Sequence, residues 1–340
     1  MMKICFVGSL SFTFIRRDYE ILKKHFDVDV IEHPKKKSKW LGYALILAKK
    51  VKRSDLTFCW FAGWHSAFAV FFSKLFKKKI VTVAGGFDVV CLPEINYGAF
   101  TNFKQKLPSK YVLKNSDMII SISKSNQREL LEKVRPKKNI LIYNGVSIEE
   151  FVPGDYDKEK IAITVGIIKW SNLKRKGIET FVKTAKYLPD VSFVVIGKFA
   201  DDSIDYLKPI ASSNVEFTGF VSDKELLDWY QRAKVYVQAS AHEGFGITVG
   251  EAMLCKCIPV VTDRFSLPEV VGDTGFYVPY EDVKATAEMI KKALEAPEEK
   301  GKMARERIIK LFTIEKREKK LEKSIRKLLR KSIDYENKFD

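Results

Sequence analysis

Two doubly wound parallel sheets, one in each half of the chain, are the α/β architecture expected of these 340 residues. Short apolar runs rich in β-branched residues alternate with helically periodic stretches from end to end, which is the rhythm of βαβ units. The runs are apolar throughout rather than alternating, as strands covered on both faces must be. The length also exceeds one domain of roughly 100 to 200 residues, and a punctuated, charged segment at 151–160 (Val-Pro-Gly-Asp-Tyr-Asp-Lys-Glu-Lys after Phe151) separates two apolar strands.

In the first half the expected strands are Lys3–Val7, Val28–Glu32, Leu56–Trp60, Ile80–Val83, Met118–Ile122 and Ile140–Tyr143, with helices such as Arg16–His25 and Ser125–Lys133 between them. Leu56 to Phe76 is long enough to span a bilayer, but Gly63-Trp64-His65-Ser66 breaks it where a turn would join a buried strand to a helix over Ala67–Phe76. That strand-turn-helix is the expectation. A span, or an aromatic helix (Phe68, Phe71, Phe72, Phe76) touching lipid and ending in Lys77–Lys79, is the alternative. The second half supplies strands at Ile161–Gly166, Ser192–Ile196, Val215–Thr218, Val235–Gln238, Pro259–Val261 and Gly275–Val278, and helices near Ile178–Leu188, Asp223–Arg232, Ile247–Leu254 and Val283–Leu294. Right-handed crossovers wind each set into one sheet. Glu298 to Lys331 reads as a basic amphipathic helical tail, either solvated or joined to the basic first domain against an anionic partner. The domain expectation is 1–150, 151–310 and a final basic helix at 311–340.

Apolar residues make up 46% of the chain and charged residues 30%, which excludes the composition of a disordered protein. The net charge of +17 is unevenly placed: +14 over residues 1–150, −4 over 151–300 and +7 over 301–340. A basic half draws phosphates, nucleic acid or an anionic membrane surface. No recognised nucleic-acid motif accompanies it, so a basic nucleic-acid-binding protein is the alternative rather than the expectation. Five cysteines form no disulfide framework, which fits a reducing cytoplasm; no signal peptide is evident. Cys255-x-Cys257 has no second Cys/His pair and reads as structural thiols rather than a metal site. Asp27-Val-Asp29 lies in an expected strand, and no metal ligand set is assigned.

The segment with most chemistry is Ser240-Ala-His-Glu-Gly-Phe-Gly-Ile-Thr-Val-Gly-Glu-Ala-Met253, which follows a strand and opens a helix. Free amides of Gly246, Ile247 and Thr248, with the helix dipole behind them, make an anion site suited to a diphosphate. Glu243 precedes those donors and Glu251 lies a turn inside the helix, so the two carboxylates would flank the phosphates and accept hydrogen bonds from sugar hydroxyls. Each carboxylate alone would read as a solvated surface group; their joint placement at a strand end reads as a site.

These residues resemble the retaining glycosyltransferases of family four, whose signature is a Glu, seven residues and a second Glu within Glu-Gly-Phe-Gly…Glu-Ala, as at Glu243 to Glu251. Val165-Gly166 with Arg175-Lys176-Gly177, Phe217-Thr-Gly-Phe-Val221, Pro259-Val-Val261, Pro268-Glu-Val-Val271 and Asn144-Gly-Val146 with Phe151 extend the likeness over roughly residues 3–330, most strongly in the second half. The resemblance implies the GT-B architecture: two Rossmann-like domains facing a central cleft, with the last helix crossing back to the first. It implies that Glu243 faces the donor sugar, that Arg175 and Lys176 neutralise the leaving diphosphate, and that Glu251 holds the ribose. Gly166, Lys169, Gly244, Phe245, Gly246, Ile247 and Thr248 would complete the donor site. No cofactor is implied, only a nucleotide diphosphate-sugar, and the cation pair takes the place of a metal.

The chain departs from the pattern at four places. Ile167 stands where the family has Arg, with Lys169 or Lys174 as substitutes. Cys257 replaces a glycine. The turn after the first strand is reduced to Gly8-Ser-Leu-Ser, and His-Gly-x-Asp becomes Gly85-Gly86-Phe87-Asp88. Gly8, Asp88 and His65 are the acceptor-side expectations, His65 compensating for the missing histidine or serving as a structural turn residue. The function expected is metal-independent hexosyl transfer, with retention, to a glycan or lipid-linked acceptor in the cytoplasm or peripheral on the membrane's cytoplasmic face. A catalytically inactive transferase-like subunit is a further alternative.

Overall fold

The computed structural model of the protein describes residues 1–34 and 36–336. They form two units. One comprises Met1–Asn144 together with the helix from Glu315 onward, the other Gly145–Ile314.

The first unit contains β1 (Lys3–Val7), α1 (Thr13–His25), β2 (Asp27–Ile31), α2 (Trp40–Lys52), β3 (Leu56–Trp60), α3 (Trp64–Leu75), β4 (Lys79–Ala84), α4 (Phe103–Asn115), β5 (Met118–Ser121), α5 (Lys124–Lys133) and β6 (Asn139–Leu141). Its six strands are all parallel in the order β2-β1-β3-β4-β5-β6. The second contains β7 (Glu159–Val165), α6 (Trp170–Leu173), α7 (Ile178–Thr184), β8 (Ser192–Ile196), α8 (Ser203–Ile210), β9 (Val215–Gly219), α9 (Asp223–Arg232), β10 (Ala233–Gln238), α10 (Ile247–Leu254), β11 (Ile258–Thr262), α11 (Leu267–Val271), β12 (Phe276–Val278), α12 (Val283–Glu295) and α13 (Glu298–Leu311). Its parallel order is β12-β11-β10-β7-β8-β9. The order reverses between β1 and β3 in one sheet and between β7 and β10 in the other, and the crevice beyond the carboxyl ends at such a reversal is where open α/β sheets take ligands.

Apolar runs became buried central strands because both faces carry helices: β3 and β11 are buried at every position. Leu56–Phe76 folds as β3 and α3, but the helix begins at Trp64, so Trp64, His65 and Ser66 are its first turn and not a loop. Among the described residues no helix is long and apolar enough to cross a membrane. The helix α4 carries Pro108 inside it: Asn102 caps the helix by accepting from the Lys104 N–H at 2.9 Å, and the proline costs one helical bond.

The tail is two helices rather than one. It breaks at Phe312-Thr313, where the Val146 N–H donates to the Phe312 carbonyl at 2.8 Å and residues 146 and 313 pair as a short parallel bridge. The chain divides at Asn144/Gly145, ahead of the punctuated 151–160 segment, because that bridge ties Val146 into the second unit. The last helix, α14 (Ile314–Glu336), is fixed to the first unit by Arg317, whose Nε and Nη2 each lie 2.6 Å from the Asp18 carboxylate while Nη1 donates to the Ile142 and Tyr143 carbonyls. Trp60 Nε1 donates to the same carboxylate at 2.9 Å. Every donor of that buried guanidinium used here meets an acceptor, which is what makes a buried pair tolerable.

Candidate active site

Two loops converge beyond the ends of β7 and β10. The first leaves β7 at Gly166, whose N–H donates to the Ile196 carbonyl at 2.9 Å, and runs through α6 to Gly177. Asn172 organises it: its Nδ2 donates to the Ile167 carbonyl at 2.8 Å, and its Oδ1 accepts from Arg175 Nε and Nη2 at 3.2 and 2.7 Å. The second loop leaves β10 and is stitched to the first where the Ala241 N–H donates to the Arg175 carbonyl at 2.9 Å. Gly177 permits this approach. Its φ is +68°, and a Cβ there would lie 2.0 Å from the Ala239 carbonyl oxygen.

This approach brings Lys176 Nζ to 2.6 Å from Glu243 Oε1. Ser240 Oγ donates to the same oxygen at 3.0 Å and accepts from Gln238 Nε2 at 2.6 Å. The Tyr236 hydroxyl lies 2.8 Å from both Gln238 Oε1 and Thr248 Oγ1, so a buried polar chain runs from α10 to the ion pair. Ser266 Oγ donates to the Glu243 carbonyl at 2.8 Å and fixes the loop from the other side. Burial pushes the Glu243 carboxyl up, but the Lys176 and Arg175 charges and the hydrogen bonds from Lys176 and Ser240 outweigh it and hold the group below the ordinary carboxylate value. Burial pulls the Lys176 ammonium below its usual value in spite of Glu243. Both side chains still present surface, at 18% and 10%, so a ligand can reach them.

Gly246, at φ +94°, turns the chain into α10, and the half-buried Ile247 and Thr248 supply the first turn. Phe245 is buried edge-on against Phe312 at 5.4 Å, and Gly244 is half-exposed between it and Glu243. Glu251 is buried a turn further on, and its Oε2 accepts from the Tyr230 hydroxyl at 3.2 Å. Burial and then the Glu251 charge drive that phenol well above its usual value, so it stays a donor. Lys169 is half-buried ahead of α6, and Lys174 is exposed, 4.0 Å from Glu281. Arg175, Lys176, Glu243, the start of α10 and Glu251 are thus all built on the loops and helix at one sheet reversal. The sequence reading missed Asn172, Tyr230, Tyr236, Gln238, Ser240 as a ligand of Glu243, and Ser266. A glutamine ending an apolar strand was the one local signal, since a buried amide needs partners.

Gly8, His65 and Asp88 belong to the other unit. The Gly8 turn is closed by Glu32, which accepts from the Leu10 N–H and Ser9 Oγ, each at 3.1 Å. At Gly85 no side chain fits: a Cβ would stand 2.1 Å from the Phe61 ring. His65 Nε2 lies 2.9 Å from the Trp60 carbonyl and the ring stacks on His33 at 5.0 Å. Asp88 accepts from the Ala62 and Gly86 N–H groups at 2.8 and 3.0 Å.

These two groups titrate in opposition. Burial raises Asp88 to about 6 against its backbone hydrogen bonds. A raised folded value means that its contribution to stability is full below the unfolded value of 3.8 and is lost as pH rises through about 6. Burial lowers His65 to about 4, so its contribution is present above 6.5 and is lost as pH falls through about 4. Each is worth about 3 kcal/mol at 1.36 kcal/mol per pKa unit, with opposite sign. His65→Gln is therefore expected to gain stability relative to the parent as pH falls from 7 to 4.5, and urea unfolding at the two values checks it; parallel shifts in both proteins would refute the pairing.

Cys255 and Cys257 are buried, burial pushes both thiols up, and Cys257 Sγ lies 3.1 and 3.2 Å from the Tyr230 and Ala233 carbonyls, a structural placement. Asp27 and Asp29 are taken by Lys3 and Lys50. Among the described residues no group of three His, Cys, Asp or Glu is placed to hold a metal ion.

The family model for glycosyl transferases group 1 matches residues 147–311, the second unit almost end to end. The serotype-specific mannosyltransferase WbdA of Escherichia coli is 28% identical over 220 residues, which cover 57% of this chain and 26% of that protein, so the chain spans about a quarter of that relative's length. Sucrose-phosphate synthase from Thermosynechococcus elongatus has a similar fold, with a TM-score of 0.79 at 18% identity over 96% of this chain and 99% of that one. HepE of Anabaena, solved with UDP and glucose, gives a TM-score of 0.79 at 17% identity over 96% and 99%. With the signature pair Glu243 and Glu251 seated on loops at the β7/β10 reversal, residues 147–311 are a group 1 glycosyltransferase domain within a chain of GT-B fold.

Proposed function

We propose that the protein transfers a hexosyl group from a nucleotide diphosphate-sugar to a glycan or lipid-linked acceptor, with retention and without a metal, at the cytoplasmic face of a membrane. The observation that carries this reading is the Lys176–Glu243 pair, set beside Arg175 and the start of α10 by the close approach at Gly177. The diphosphate would accept from the amides of Gly246, Ile247 and Thr248, and Arg175 and Lys176 would take the charge that grows as the C1–O bond to phosphate breaks. The acceptor oxygen bonds to C1 on the same face and its proton passes to the leaving phosphate oxygen, so the protein supplies position and charge rather than a nucleophile. Glu243 would hold the donor sugar and Glu251, positioned by Tyr230, the ribose. Gly166, Lys169, Gly244 and Phe245 would shape the donor site, and Gly8, His65 and Asp88 would serve the acceptor unit. HepE, of like fold, was solved with UDP and glucose, and WbdA is a mannosyltransferase, so both sugars belong in the first screen.

A thermal-shift screen of UDP-, GDP- and ADP-sugars, mannose and glucose among them, tests the reading. One donor at 100 times its Kd is expected to add about 2.7 kcal/mol of stability, with transfer undiminished by EDTA. Binding without turnover on any acceptor would assign the chain to inactive transferase-like subunits, and no binding at all would end the proposal.

A further inference from the structure

Three consecutive helices of the first unit share a face that the donor chemistry does not use. On α3, Trp64, Phe68, Phe71 and Phe72 recur at helical spacing, and Leu107 and Tyr111 oppose them from α4, enclosing an apolar groove of about 490 Å³. Leu41 on α2, Leu75 on α3 and Phe103 on α4 are 75%, 60% and 78% exposed, Leu75 following Phe71 and Phe103 preceding Leu107 at helical spacing. Single exposed apolar residues need no explanation, but a contiguous patch of this kind marks a binding surface. Its rim has one sign. The helices α2, α3 and α4 together carry eight lysines, of which Lys50 is paired with Asp29, and not one Asp or Glu, and Lys77, Lys78 and Lys79 follow α3 directly. Lys104, Lys110 and Lys114 are exposed along α4, and Lys74 lies 5.8 Å from the Tyr111 ring centre.

We propose that this face docks the protein on an anionic lipid bilayer, with the rings of α3 and α4 at the acyl boundary and the lysines among the headgroups. The proposal rests on the membrane association proposed above and says which surface performs it. An interfacial surface needs aromatic and aliphatic side chains on one side and lysines at their edge, the lysines laying their stems on the apolar surface while their charges reach phosphate. A second copy of the chain is a poor occupant, because a twofold contact through this face would set lysine rim against lysine rim. Insertion also suits the groove, since acyl chains can fill a cleft that a flat headgroup layer cannot.

The full-length protein is sedimented with vesicles of phosphatidylcholine alone or mixed with phosphatidylglycerol, at low and high salt. Binding to the mixed vesicles is expected. The exposed pair Phe71→Ser/Leu107→Ser is expected to weaken it by about tenfold or more, and Lys104→Glu/Lys110→Glu by at least about tenfold with loss of the anionic preference. Both variants should keep the parent melting temperature. Bromine-labelled lipid should quench tryptophan fluorescence in the parent and less so in Trp64→Phe. If the parent binds and the Phe71/Leu107 variant binds equally, the groove assignment is wrong while membrane association stands. If the parent binds no vesicle, both fall. A concentration-dependent dimer abolished by the same substitutions would assign the face to self-association and overturn the bilayer.

Discussion

Lys176→Ala is expected to lower kcat for the proposed sugar transfer by about 10²- to 10³-fold, the loss seen when one preorganised charge partner of a transition state is removed. It also costs about 3 kcal/mol of stability, because Glu243 is left largely buried with its counter-charge gone. The two effects separate in the double variant Lys176→Ala/Glu243→Gln, which removes both charges. Stability is expected to return toward the parent while activity does not. Urea unfolding and steady-state kinetics with a bound donor check this. Recovery of activity along with stability would mean that the pair only holds the loops together.

Gly177→Ala is expected to cost about 3 to 5 kcal/mol, the sum of a left-handed backbone forced on a residue with a Cβ and an overpacked contact. The new Cβ would stand 2.0 Å from the Ala239 oxygen and 2.3 Å from its carbon, so β10 and the loop bearing Arg175 and Lys176 must part. Donor affinity should fall with stability. Gly166→Ala is the control at the other end of the same loop: its Cβ would meet Ile178 Cδ1 at 3.6 Å, an ordinary contact, and less than about 1 kcal/mol is expected. Equal unfolding midpoints for the two variants would refute the close-approach argument.

The α/β repeat was legible because strands buried on both faces are built mostly from apolar residues, so six apolar runs in each half announced six strands. Glu243, Glu251, Arg175 and Lys176 were legible as chemistry because loop glycines and a helix start accompany them. Helix ends were less so. The helical tail over Glu298 to Lys331 is α13 and α14, and its break at Phe312-Thr313, next to the 311 start expected for the final helix, depends on pairing with Val146, far away in sequence. Gly85 read as a lost histidine; the Phe61 ring, from the end of another strand, stands 2.1 Å from where a Cβ at Gly85 would be.

What the sequence determined by itself is local and periodic: which runs bury both faces, where the amides of a helix start lie free, and which half of the chain is basic. What only the tertiary structure decided is which of those groups meet. Lys176 and Glu243 are 67 residues apart, and their 2.6 Å contact exists because β7 and β10 are neighbours at a sheet reversal and a residue without a Cβ lets their loops touch. The same holds for the groove: lysines and aromatics were visible one helix at a time, but a shared face arises only when α3 packs beside α4, since side-chain spacing fixes faces within a helix and only packing joins them between helices.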